Sequence, residues 1–143
     1  MKRVGVMFLS MLIAAGAAFA ADPAPQPAAK APKETPELVA KGKAAYAVNC
    51  LMCHGEAGDG NGPAGQALNP KPRDFAKDPF KQGSKPEEVF KTLTEGVQGT
   101  PMVGYAHLPD EDRWALTYYV LSFVPKNAKK DAKPAPKAAG AKK

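Results

Sequence analysis

The chain has 143 residues, 15 prolines, two cysteines and a formal net charge of +6, and about 123 residues remain once an N-terminal export signal is set aside, room for one small domain. That charge invites a nucleic-acid or membrane-surface reading, but residues 126–143 hold seven lysines against Asp131 alone, whereas residues 37–125 hold nine Lys or Arg and eleven Asp or Glu. The folded part is therefore mildly acidic, and its charge pattern argues against a nucleic-acid binder.

The signal comprises Lys2 and Arg3, an apolar run from Val4 to Ile13, and Ala18-Phe19-Ala20 as a small-x-small cleavage site. Residues 1–20 are expected to be removed, giving an exported, periplasmic protein with no integral membrane span. The competing reading is an uncleaved anchor, since the span approaches the ~17-residue lower limit for a transmembrane helix; the Ala/Gly-rich second half and the cleavage site favour removal. Residues 21–35 and 126–143 are mostly Ala, Pro and Lys, too poor in large apolar side chains to repay ordering, and are expected to be disordered or extended. The folded domain is placed at residues 36–125. The basic tail is either solvated filler or a contact for an acidic partner or anionic surface.

The first helix is predicted from Pro36 to about Asn49, with Thr35 as N-cap, Pro36 at the first helical position and Glu37 near the positive end of the dipole. Gly42 and Tyr46 share one face. An interior glycine costs ~1 kcal/mol relative to alanine, and a close helix crossing is a sufficient cause. Directly after this helix comes Asn49-Cys50-Leu51-Met52-Cys53-His54.

Two cysteines three apart followed at once by a histidine read as a c-type haem attachment site. Each thiol serves one vinyl group on the porphyrin edge, and the next residue's imidazole turns beneath the macrocycle to meet the iron. Three other readings compete. A redox Cys-x-x-Cys pair belongs beside a βαβ pattern, and no β-branched run flanks this one. A zinc site assembled from Cys50, Cys53, His54 and His107 has the wrong spacing for a finger or ribbon. A disulfide across two residues closes a tiny loop with strained geometry. Covalent haem is preferred, and it also staples a domain too small to bury much surface, so the apoprotein is expected to fold poorly.

Residues 55–63 form a turn-rich loop with four glycines. A phosphate cradle is excluded, because no strand precedes it and no Gly-Lys-Ser/Thr follows. A carbonyl in or just after this loop is expected to accept the His54 Nδ1 proton, leaving Nε2 for the iron; Pro63 is the candidate. Asn69-Pro70-Lys71-Pro72-Arg73-Asp74-Phe75 is extended by its prolines. Arg73 is read equally as a partner for a haem propionate or as surface charge, Lys71 as surface charge, and Phe75 and Phe80 as core or haem wall.

A short helix is predicted from about Lys85 to Glu95, with Ser84 and Glu87 as a capping box, Val89, Phe90 and Leu93 as its apolar stripe and Gly96 as its stop. A Gly/Pro-shaped loop around Met102 follows. The final helix is expected to start near Asp110, with Leu116, Tyr119, Val120 and Phe123 facing inward. Trp114 is offset from that stripe, and either covers a haem edge with its indole N–H on a propionate or is a structural tryptophan.

With His54 on one axial position, the other falls to the remaining donors. Met52 lies between the anchoring cysteines and cannot reach the opposite face. Met102, 48 residues past His54 on a loop between two helices, can. His107 is the runner-up, and a lysine a weaker third. A thioether raises the potential relative to paired imidazoles, and a filled sixth position excludes oxygen and peroxide.

Cys50-Leu51-Met52-Cys53-His54 after a helix, the Gly/Pro loop through Pro63, Gly99-Thr100-Pro101-Met102, and a last helix with Trp114 and Tyr119-Val120 together resemble the class I monohaem c-type cytochromes, over roughly residues 37–123. The resemblance implies an all-α fold, three to four helices wrapped round one covalently attached haem. It further implies thioether bonds at Cys50 and Cys53, His54 as proximal and Met102 as distal ligand, Pro63 as the carbonyl acceptor, and a crossing of first and last helices through Gly42, Tyr46 and Tyr119. The Ala/Lys/Pro tails and the Pro-rich stretch at residues 70–83 depart from the family pattern. The expected function is that of a one-electron carrier between redox partner proteins, not an enzyme, with the exposed haem edge as the transfer surface. Two alternatives remain: a haem subunit tethered to a membrane oxidoreductase complex, and a haem-based peroxidase or gas sensor whose distal ligand dissociates.

Overall fold

Thr35 opens the first helix. Its backbone is extended (φ −129°, ψ 155°) and its Oγ1 accepts the Leu38 N–H at 3.2 Å, which satisfies one donor that a helix start leaves open. In this computed structural model, which describes residues 30–125, helix α1 spans Pro36–Asn49, the bounds its capping residues predict. A single turn, α2 (Leu51–His54), follows, then a 3-10 turn at Gly65–Ala67, α3 (Pro86–Glu95) and α4 (Asp110–Ser122). No strand occurs among the described residues. The expected signal at residues 1–20, the first part of the linker and the tail at 126–143 lie outside the described residues.

Helix α3 departs from its expected start. Proline restricts the residue before it to extended backbone and is itself best placed in the first helical turn, so Lys85 (φ −70°, ψ 151°) becomes the N-cap and Pro86 the first helical residue. The Ser84–Glu87 capping box therefore does not form. Glu88 reaches back instead and accepts the Lys85 N–H at 2.9 Å.

The packing is organised by the crossing of α1 and α4. At Gly42 an added Cβ would stand 2.6 Å from the Ala115 carbonyl carbon and 2.8 Å from Tyr119 Cβ, so the two backbones meet where no side chain intervenes. One helical turn along, Tyr46 fills the adjoining space, edge-on to Tyr119 with ring centroids 5.1 Å apart. Lys41 bridges Glu111 and Asp112 at 2.8 and 2.9 Å on the surface of the same crossing. Exposed pairs of this kind contribute only ~0–1 kcal/mol.

Helix α4 is buried on more than the expected stripe. Leu116 and Val120 face the main core with Tyr46, Cys50, Val89 and Leu93, while Tyr119 and Phe123 are only half-buried. On its other side Trp114 and Tyr118 join Phe90 of α3 in a second cluster, closed by Leu38 and Val39 of α1 and by Ala31. Both sides are covered because α4 lies between α1 and α3. Part of the Ala/Pro-rich segment also docks there: the Tyr118 hydroxyl donates to the Pro32 carbonyl at 2.5 Å.

Candidate functional site

Between the α1–α4 pair, α3 and residues 68–73 lies a cleft of about 290 Å³, on the order of twenty times the space one water molecule needs. Its walls are largely apolar, with Leu68, Phe75, Phe80, Val89, Leu93 and Val120 among them. The charged residues on its lining are Lys71, Arg73 and Lys81, all cationic. Cys50, Cys53, His54 and Met102 open onto this same cleft, so the turn after α1 and the loop after α3 contribute to one site.

The local fold explains that turn. Helix α1 breaks at Cys50 (φ −123°, ψ −31°), α2 carries Cys53 and His54 through one further turn, and Gly55 stops it at φ 76°, a backbone region that favours glycine. The chain then folds back beneath its own motif. Gly60 N–H donates to the His54 carbonyl at 2.9 Å, Ala64 N–H to Met52 at 2.8 Å, and the buried Tyr46 hydroxyl to Gly55 at 2.8 Å. Gly62 packs against the Leu51 and Met52 carbonyls with no room for a side chain. The four-glycine loop is thus a tight backbone support for the motif.

His54 stacks on Phe75, ring centroids 4.7 Å apart, and burial pushes its pKa down to about 4, with the Arg73 main chain opposing the shift. At neutral pH it is a neutral imidazole, the form that binds a metal. The Arg73 main chain lies near the ring, but the buried Nδ1 makes no hydrogen bond of acceptable geometry. Pro63 is exposed, and its carbonyl is not bonded to His54. Burial pushes the Cys50 thiol up to about 12, the neighbouring Cys53 adding to it, so Cys50 stays protonated, unlike the lowered-pKa thiolate of a redox pair. Both thiols are free. Among the described residues no three His, Cys, Asp or Glu side chains converge on a metal position, and His107 is exposed, which leaves the zinc reading without support.

Of the remaining expected residues, Arg73 lines the cleft, donates from Nη2 to the Pro79 carbonyl at 2.5 Å and lies 4.6 Å over the Phe80 ring. Burial holds its pKa below the usual guanidinium value, with Asp78 opposing. Trp114 is not on the cleft. It is 3% exposed and stacks on Phe90 at 4.2 Å in the second cluster, where its Nε1 has no partner. The cleft also includes residues that sequence reasoning had not singled out for the site, Asn49, Leu68, Lys81, Gln82, Thr92 and Tyr105 among them. Asn49, next to Cys50, and Tyr105, three places after Met102, carried a local hint.

These residues fit a covalently attached haem. Two thiols and a neutral imidazole stand on one turn, a thioether reaches the same apolar cleft, and its cationic lining suits the two carboxylates of the porphyrin. The buried, unpartnered Nδ1 is a nitrogen through which the imidazole can still be oriented.

Comparison with known proteins agrees. The family described as cytochrome c oxidase, cbb3-type, subunit III matches residues 37–120, more than half of the chain. A thiosulfate dehydrogenase of Stutzerimonas stutzeri (strain A1501) is 30% identical over 84 residues, 59% of this chain and 27% of that protein. The cbb3-type cytochrome c oxidase subunit FixP of Rhizobium meliloti (strain 1021) is 36% identical over 63 residues, 44% of this chain and 19% of that protein. A chain of the Kuenenia stuttgartiensis reducing HAO-like protein complex Kustc0457/Kustc0458 superposes with a TM-score of 0.64 at 35% identity, covering 70% of this chain and half of that one. The chain thus spans about a quarter or less of these two curated relatives. With its helical fold, its haem-attachment turn and the family match, the chain belongs to the cbb3-type subunit III family of c-type cytochromes and is an electron-transfer haem domain of the class I kind.

Proposed function

We propose that the protein is an exported, periplasmic, one-haem carrier that passes single electrons between partner redox proteins and makes or breaks no bonds in a substrate. Cys50 and Cys53 would hold the haem by thioether bonds, and His54 and Met102 would be its proximal and distal ligands. The bound group supplies reversible one-electron chemistry at iron. His54 and Met102 would both serve the iron, the apolar walls would shield the group from water, and Arg73, Lys71 and Lys81 line the cleft where propionates could be neutralised. One observation carries this reading: Met102 and the Cys50–His54 turn open onto the same cleft, whereas His107 is exposed and outside its lining.

The test uses the haem-loaded protein. A mass increase of one haem, with neither thiol open to alkylation, is expected. The ferric protein is expected to show the weak long-wavelength charge-transfer band of a thioether–iron bond. Met102→Ala should abolish that band and lower the reduction potential, while His107→Ala should leave both unchanged. Loss of the low-spin signature in His107→Ala alone contradicts the assignment.

A second reading is favoured by the lengths of the relatives and by a structural neighbour that is part of a protein complex. In that reading the domain delivers electrons as a subunit of a larger oxidoreductase. Co-purification of a stoichiometric partner under mild solubilisation supports it, and a freely diffusing holoprotein favours the carrier.

A further inference from the structure

How readily an axial methionine leaves its metal depends on how its loop is held, and the Met102 loop is held in three ways. Within the loop, Val97 N–H donates to the Met102 carbonyl at 2.9 Å and Met102 N–H to Thr100 Oγ1 at 3.2 Å. Toward α3, Tyr105 N–H donates to the Leu93 carbonyl at 2.7 Å, and Gly104 lies so close that an added Cβ would stand 2.9 Å from the Glu95 carbonyl carbon. Toward α1, the Tyr105 hydroxyl donates to the Asn49 carbonyl at 2.8 Å, a bond between positions 56 apart. Among the described residues, that last bond is the only hydrogen bond joining residues 96–105 to residues 36–65.

Its acceptor is well chosen for a fixed point. Asn49 ends α1, where helix geometry leaves carbonyls open, and the next residue is the buried Cys50. We propose that Tyr105 is a positioning residue: it latches the Met102 loop to the end of α1 and so sets how often the Met102 thioether leaves the distal position. This deepens the reading of Met102 as the distal ligand and rests on it. The first two anchors tie the loop only to itself and to α3, and allow loop and helix to shift together. The hydroxyl ties the loop to the last residue of α1, directly before Cys50.

The test compares four holoproteins: wild type, Tyr105→Phe, Tyr118→Phe and Met102→Ala. Phenylalanine at position 105 keeps the half-buried ring and removes only the hydroxyl. Tyr118→Phe is the control for a general loss of stability, because it also deletes a single hydroxyl-to-carbonyl bond, to Pro32, and Tyr118 belongs to a cluster whose buried residues do not line the cleft. Carbon monoxide binding to the ferrous proteins reads the fraction of molecules with the distal position open. Tyr105→Phe is expected to bind about 3- to 10-fold faster than wild type, the shift that losing one hydrogen bond allows, and to lose the ferric thioether band at a lower temperature. Tyr118→Phe should bind at the wild-type rate. A Tyr105→Phe rate equal to wild type overturns the latch, as does an equal acceleration in Tyr118→Phe. If the band survives Met102→Ala, the ligand assignment fails and takes the latch with it. If Met102→Ala abolishes the band and Tyr105→Phe changes nothing, the latch alone is wrong.

Discussion

A tyrosine whose ring is buried has to place its hydroxyl on a partner, and Tyr46, 2% exposed, donates to the Gly55 carbonyl just past the end of α2. Burial also pushes its pKa up, with smaller contributions from Cys50, Tyr119 and Asp59, so it remains a donor across the physiological range. The bond ties the last turn of α1 to the residue after His54 and holds the haem-attachment turn closed. Tyr46→Phe leaves the Gly55 carbonyl with only the longer bond from the Gly58 N–H at 3.2 Å, and losing the shorter one costs ~0.5–1.5 kcal/mol. The expected result is a lower midpoint in denaturant at an unchanged slope, with the native visible spectrum retained. A spectrum altered under native conditions would instead mean that the hydroxyl directs iron ligation.

Helix packing turns on an absence of side chain. Gly42 lets α1 approach the Ala115 carbonyl of α4, and the obstruction awaiting any larger residue is backbone, which cannot rotate away. Gly42→Ala therefore loses more through the crossing than the ~1 kcal/mol it gains in helix propensity. Overpacking of this kind costs ~1–3 kcal/mol, so the melting temperature is expected to fall by several degrees, and Gly42→Val should fall further. A rise for Gly42→Ala would show that the helices do not cross there. A close crossing at Gly42 was legible in sequence because an interior glycine costs helix propensity, while the last helix as its partner came from the family resemblance. The bounds of α1 and the start of α4 were legible because a capping residue and prolines act locally. The start of α3 was misread by the same kind of rule: Ser84 suits a capping box, but Pro86 fixes the backbone before it and moves the cap to Lys85. Trp114 was misplaced in the haem-edge alternative because periodicity says which side of α4 a residue occupies, not whether α3 or the cleft lies opposite. Tyr105 and Asn49 are 56 positions apart, and no local pattern announces a bond between them.

At the scale of the whole molecule, the two halves of the fold depend on the cleft to different degrees. The α1–α4 pair is bound by its own crossing, by Tyr46 against Tyr119, and by Leu116, which is fully buried. Helix α3 is bound on one side through Phe90 stacked on Trp114, but it turns Val89, Thr92 and Leu93 toward the cleft. The Met102 loop hangs from its end. With a haem in place that apolar face is covered. Without one the largely apolar lining of the cleft meets water, and Val89 and Leu93 keep only their contacts with the core around Leu116 and Val120; burying apolar surface contributes ~25 cal/mol per Å². A Cys50→Ala/Cys53→Ala chain, unable to hold the group covalently, is therefore expected to lose order unevenly. By amide hydrogen exchange, α1 and α4 should keep measurable protection, while α3 and residues 96–105 should exchange near the rate of an unfolded chain. The haem-loaded protein should protect all of them. If α3 in the haem-free chain were as protected as α4, the cofactor would not be completing the core, and the cleft would be a preformed pocket in a domain that is stable without its ligand.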